Sequence, residues 1–185
     1  VYDSNDLSIV NGNGNYIPSY MEALEKYDDG SLKWVLCSMV VTLSANETKS
    51  VYLTQQKNDK LEKQVFFEKT GEEFLLENDY ISMKMNSFGI AELSYMGESV
   101  LGNDGISLFC RTSATDKDLI LKNAEITLIK DNPLYTKASI KGHMSDGMDG
   151  ELIITMWAGG KLVDAQMRFN AKKDVMLNSL GQYIA

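Results

Sequence analysis

The sequence is poor in the residues from which chemical sites are usually built. Among 185 residues there is one histidine, His143, and there are two cysteines, Cys37 and Cys110. Three such side chains cannot supply the four nitrogen and sulfur ligands of a standard zinc site, so no such site is expected; no cofactor is expected either, and a metal could come only through the oxygen ligands weighed below. Cationic side chains are also scarce. There are 18 Lys plus Arg against 26 Asp plus Glu, a net charge of −8, and only Arg111 and Arg168 carry guanidinium groups. Nucleic acid is held by clustered cations that displace counterions from phosphates. The acid excess therefore argues against nucleic acid and against an anionic membrane surface. Acidic polysaccharide is a poor match to the whole chain, although a local basic patch could still hold it. With 2 prolines and 14 glycines, no long linker is expected. No apolar run approaches the length that spans a bilayer, and no segment sustains a 3.6-residue apolar stripe over three turns.

What is present is a procession of short alternating segments. Val1 to Val10 reads as a strand, and Asn11-Gly12-Asn13-Gly14-Asn15 as a tight turn, because Asn-Gly pairs favour positive φ. Tyr16 to Tyr20 reads as an edge strand, since Pro18 cannot donate to a ladder. Met21 to Tyr27 is read as strand rather than as a helical turn. Asp28-Asp29-Gly30-Ser31 then turns the chain into Leu32–Leu43, which is apolar on both parities and is expected to be a central strand covered on both faces. Thr48 to Gln55 returns as an alternating strand. Further strands are expected from Val65 onwards, with Ile81, Met83 and Met85 on one face of their strand. Turn signals recur at the spacing of sandwiches and barrels. The expected class is all-β, an antiparallel β-barrel or β-sandwich with many short strands and little helix. The chain reads as one unit, with a soft internal boundary over 56–64 between N-terminal strands (1–55) and a longer meander (65–185).

Several residues offer chemistry, and each has a plainer reading. Asp146 and Asp149, with Asp104, put carboxylates on loops of the kind calcium uses, but Asp-Gly is also ordinary turn chemistry. His143 could act as a general base only with a partner in hydrogen-bond reach, and otherwise reads as a surface histidine. Glu22, Glu25, Asp28 and Asp29 could pair as a glycosidase does; with so many acids adjacency carries no information, and Asp28 and Asp29 read as turn residues. No catalytic residue is assigned. Asn46-Glu47-Thr48 is a formal glycosylation sequon. Cys37 and Cys110, both in apolar runs, read as buried free thiols, with a disulfide between them as the alternative that sequence alone does not decide. Trp34 and Trp157 lie in apolar strands and read as core. Tyr16, Tyr20 and Tyr27 sit near turns and are the candidates for an exposed sugar platform.

Two stretches resemble known families. Ile17-Pro18-Ser19-Tyr20, then Leu24 and Tyr27, then Asp29-Gly30-Ser31-Leu32-Lys33-Trp34-Val35-Leu36, resembles the N-terminal β-barrel domain of the exo-acting rhamnogalacturonan lyase-like family. The motif residues are Asp29, Gly30, Ser31, Lys33 and Trp34. Asp28 departs from the pattern, which would place Pro there. Leu76-Glu77-Asn78-Asp79-Tyr80-Ile81, followed by Phe88-Gly89-Ile90 and Gly97 to Leu101, is similar to strand pairs that open the large β-sandwiches of polysaccharide lyases and mutarotase-like proteins. The resemblance implies a non-catalytic N-terminal β domain of a bacterial carbohydrate-active enzyme, with catalysis on a following helical toroid. Its partners would be a polysaccharide and the remainder of its own parent chain. The alternatives are an autonomous carbohydrate-binding module and a structural or protein-interaction domain. Val1 and Ala185 both fall in strand-like sequence, so the chain is expected to be a piece of something longer. It carries no targeting segment, so cytoplasm and secretion stay equally open.

Overall fold

The computed structural model describes residues 3–57, 62–101, 105–112, 119–144, 147–171 and 177–184. These residues form an almost entirely antiparallel β structure whose ladders are open sheets, with no closed barrel among them. The chain divides into two compact units: Val1–Lys63 with Asn132–Leu134, and Gln64–Asp131 with Tyr135–Ala185.

The first unit opens on a 3-10 turn, Ser4–Asp6, where the alternation of Val1 to Val10 had suggested strand. The reason is local: the Asp3 carboxylate accepts from the Asn5 N–H at 3.2 Å, and Asp6 accepts from the Asp3 N–H at 2.9 Å. This reciprocal cap satisfies groups that a strand ladder would otherwise have to pair. Strands β1 (Ser8–Asn11), β2 (Tyr16–Ile17), β3 (Ser19–Lys26), β4 (Leu32–Met39) and β5 (Val51–Thr54) follow. They make a three-stranded sheet in the order β2-β1-β5 and a separate two-stranded ribbon, β3-β4.

That arrangement corrects the reading of Leu32–Leu43 as a covered central strand. Among the described residues β4 pairs only with β3, and none of its eight residues is buried. β5 runs beside β1 instead, from Ser8↔Thr54 to Asn11↔Val51. Apolar residues on both parities resemble a covered strand, but cover depends on which segments pair, and that is not a property of the strand's own sequence. Trp34 is likewise not a core anchor: it is 63% exposed. One face of the ribbon, with Met21 and Ala23 beside Cys37 and Val35, is buried or half-buried. The other face presents Trp34 and Leu36.

The second unit is a β-sandwich. Strands β6 (Phe66–Thr70), β7 (Glu73–Glu77), β8 (Ile81–Asn86), β9 (Gly89–Tyr95), β10 (Glu98–Ser99), β11 (Ile106–Thr112), β12 (Leu119–Ile120) and β17 (Leu177–Ile184) form one sheet. Strands β13 (Lys122–Asp131), β14 (Tyr135–Met144), β15 (Met148–Trp157) and β16 (Val163–Ala171) form a four-stranded meander. Alternation builds the core. Ile81, Met83 and Met85 of β8 are buried, as are Ala138 and Ile140 of β14 and Leu152, Ile154 and Met156 of β15, all in one cluster. Their odd or even neighbours face the other way, as strand geometry requires.

Two details hold the sandwich in register. Gly89 has φ of +147°, and a Cβ there would lie 2.1 Å from the Ile106 carbonyl oxygen, so β9 and β11 approach only because the side chain is missing. Asn78, 7% exposed, joins the two sheets at one end. Its Oδ1 accepts from the N–H groups of Tyr80 (2.9 Å) and Ile81 (2.8 Å). Its Nδ2 donates to the carbonyls of Trp157 (2.8 Å) and Gly160 (2.9 Å), in the turn between β15 and β16. Lys161 of that turn also lies over the Tyr80 ring, 5.0 Å from its centroid.

Candidate functional site

The Asp-Gly-Ser turn is built from its own side chains. Gly30, at φ +80°, takes the left-handed position, and its N–H donates to the Tyr27 carbonyl at 2.8 Å. Asp29 accepts from the Ser31 hydroxyl at 2.6 Å and from the Ser31 N–H at 2.9 Å. The hydroxyl first, and then the backbone N–H, hold the Asp29 carboxyl below its usual range. Asp29, Gly30 and Ser31 thus shape the turn. Lys33 donates to Glu25 at 2.6 Å and lies 5.8 Å from the centre of the Tyr27 ring.

Beyond the turn, the outer face of the β3-β4 ribbon sets Glu25 opposite Trp34 and Glu22 opposite Leu36. Tyr27 is 56% exposed and Trp34 63%. Aromatic rings beside hydrogen-bonding carboxylates suit ligands that are apolar on one side and hydroxylated on the other. Leu24 and Leu36 are exposed as well. Tyr20, opposite Ser38, is half-buried.

Tyr16 stands apart, at a different feature of the first unit. The Asn11–Asn15 turn and the segment from Val40 to Ser50 border an open hollow of about 440 Å³. Its apolar wall is Ile17, Pro18, Val40 and Val41, its polar rim is asparagine, threonine and serine, and Tyr16 closes one side. The pieces are tied together. The Asn11 carboxamide accepts from the N–H groups of Asn13 and Asn15 at 3.0 Å each, and the Val40 N–H donates to the Pro18 carbonyl at 3.0 Å. The Tyr16 hydroxyl donates to Gln56 at 3.2 Å. Lys49 donates to the Thr42 carbonyl at 2.6 Å and pairs with Glu47 at 3.2 Å. Glu47 is held below its usual pKa by the Ser44 N–H first, then by Lys49. The Asn-Gly repeat signalled a turn in the sequence. Nothing in it signalled that residues 40–50 would come beside that turn.

In the second unit His143, exposed on β14, has a carboxylate partner after all: its Nδ1 is hydrogen-bonded to Asp149, directly across on β15. The next row of that face pairs Arg168 with Glu151 at 3.6 Å. The largely covered Asp149 carboxylate orients the exposed imidazole ring. Asp104 and Asp146, the other candidate calcium ligands, lie outside the described residues, as does the side chain of Cys110. Among the described residues no group of three or more His, Cys, Asp or Glu side chains converges to hold a metal. Cys37 is a half-buried free thiol whose pKa is pushed up by burial. Trp157 is half-buried too, packed against Tyr135 at 4.7 Å and donating to Asp164 at 3.0 Å. No protein-family model matches the chain, and no curated protein sequence matches it.

Proposed function

We propose that the chain is a non-catalytic β domain of a bacterial carbohydrate-active enzyme of the polysaccharide lyase-like kind, which helps to shape a glycan cleft while other parts of the parent protein do the chemistry. The observation that carries this reading is the exposure of Trp34, opposite Glu25 on the β3-β4 ribbon, and of Tyr27 at the start of the adjoining turn, with Lys33 between Glu25 and the Tyr27 ring. A ring that size left uncovered next to fixed polar groups is a platform for the C–H face of a pyranose. The Asp-Gly-Ser turn supports it by fixing where Tyr27 stands. The test uses the purified chain in affinity electrophoresis through gels containing pectic or neutral polysaccharides. Retardation that Trp34→Ala or Tyr27→Ala removes is the expected result. Unaided release of unsaturated sugar products by the chain would end the non-catalytic reading.

A second reading is favoured by Leu24 and Leu36, 62% and 45% exposed near Trp34. Exposed aliphatic side chains gain little from a sugar and more from a protein surface. In that case the ribbon is a contact for another polypeptide, and gel retardation is absent for every glycan.

A further inference from the structure

We infer that the Tyr16 hollow is a second glycan subsite, separate from the ribbon, and that it takes a neutral pyranose rather than a uronic acid. The inference rests on the glycan-contacting reading above and adds a place and a substrate class to it. Size is the first argument: about 440 Å³ lies within the range of small-molecule sites, roughly 300–1,000 Å³, and because the hollow is open it suits one ring of a longer chain held along the surface rather than an engulfed ligand. The second is the pattern of its lining. Pro18 and Val41 offer an apolar wall, and Asn13, Thr48 and Ser50 are exposed around it with amide and hydroxyl groups. A pyranose has the matching division, C–H groups on a face and hydroxyls at the edge. Asn13 is well placed for this, because its backbone N–H makes the turn's hydrogen bond and the turn therefore does not depend on its side chain.

Charge decides the class of sugar. Lys49 is the cation of the lining, and its ammonium group is already engaged by the Thr42 carbonyl and the Glu47 carboxylate. A uronate would have to compete with Glu47 for that ammonium and would meet the field of a chain with net charge −8. A neutral sugar avoids both costs.

The test is amide chemical-shift mapping on the isotopically labelled chain, titrated separately with cellotetraose, β-1,4-galactotetraose, mannotetraose and tetragalacturonic acid. The expected result is saturable shifts over residues 11–18 and 40–50 with at least one neutral tetrasaccharide. Asn13→Ala should weaken this binding several-fold, and Ser50→Trp, which fills the hollow, should abolish it. Each variant's remaining amide spectrum reports that it is folded. Neutral-sugar shifts confined to the β3-β4 ribbon would overturn the subsite and leave the glycan-cleft reading standing. Shifts at the hollow with tetragalacturonic acid alone would overturn the substrate class. Silence from all four sugars would overturn the inference and the glycan-cleft reading together.

Discussion

Asn78→Ala removes four hydrogen bonds in one step, and its cost can be worked from their surroundings. The Ile81 N–H is the most exacting partner, since Ile81 is 5% exposed and water cannot replace the lost acceptor. An unmet buried donor costs about 1–3 kcal/mol. The Tyr80 N–H and the Gly160 carbonyl belong to half-buried residues, where water replaces part of what is lost. The Trp157 carbonyl keeps a second bond from the Gly160 N–H at 3.1 Å. One full penalty and several fractions come to about 3 kcal/mol, on top of the small cavity left by the carboxamide. The measurement is equilibrium urea unfolding of the whole chain, followed by far-ultraviolet circular dichroism. Asn78→Asp provides the control. It keeps the acceptor, loses both donors and faces a carboxylate towards two carbonyl oxygens. The new carboxyl's folded pKa is then raised above its unfolded value, so the variant should regain stability as pH falls and the group is protonated. A loss below about 1 kcal/mol for Asn78→Ala would refute the bridging role, since buried hydrogen bonds of this kind are worth more than that when broken on one side only.

Other outcomes follow from the same structure. Trp34→Ala should change stability by no more than about 0.5 kcal/mol, as for an exposed position, against about 3–5 kcal/mol for a buried aromatic truncation; the same urea assay decides between them. Gly89→Ala forces a Cβ to within 2.1 Å of the Ile106 carbonyl oxygen and should cost about 3 kcal/mol or more, read as lost cooperative unfolding or soluble yield. Asp29 has a folded pKa below its ordinary 3.8, so its contribution to the turn is full above 3.8 and is lost as pH falls through the lower folded value. A titration of the Ser31 amide resonance should therefore have its midpoint below that of an unfolded control peptide, and an equal or higher midpoint would show that Ser31 does not hold the carboxylate.

The β class was legible because alternation is a direct imprint of a sheet with one buried face. Ile81, Met83 and Met85 occupy every second position, and all three are buried. The Asp28–Ser31 turn was legible too, since Gly30 supplies the positive φ that the motif needs. Cover was not. β4 has the composition of a buried central strand yet pairs only with β3 among the described residues, because β5 goes to β1. Pairing partners are set by the whole chain, so a residue such as Trp34 cannot declare its own exposure. The same limit hid the hollow, whose two walls lie some thirty residues apart in sequence, and the Asp149 partner of His143. Asn78 was visible only as part of a family-like motif, and its reach to the β15-β16 turn was not.

That reach has a consequence for the order of folding. β6 to β9 and β13 to β16 pair with their chain neighbours, hairpin after hairpin. Such local ladders close on the microsecond scale. The carboxamide of Asn78 instead meets acceptors 79 and 82 residues further on, so its bonds to them can form only after both ladders exist and have docked. The Nδ2 side of Asn78 is then a late latch rather than part of a nucleus, while its Oδ1 bonds belong to the β7–β8 turn and form with that hairpin. On that footing Asn78→Asp, which keeps the acceptor and loses only the long-range donors, should mainly accelerate unfolding and leave the refolding rate almost unchanged, a φ-value near zero, and slowed refolding in stopped-flow would place the joining of the sheets early instead.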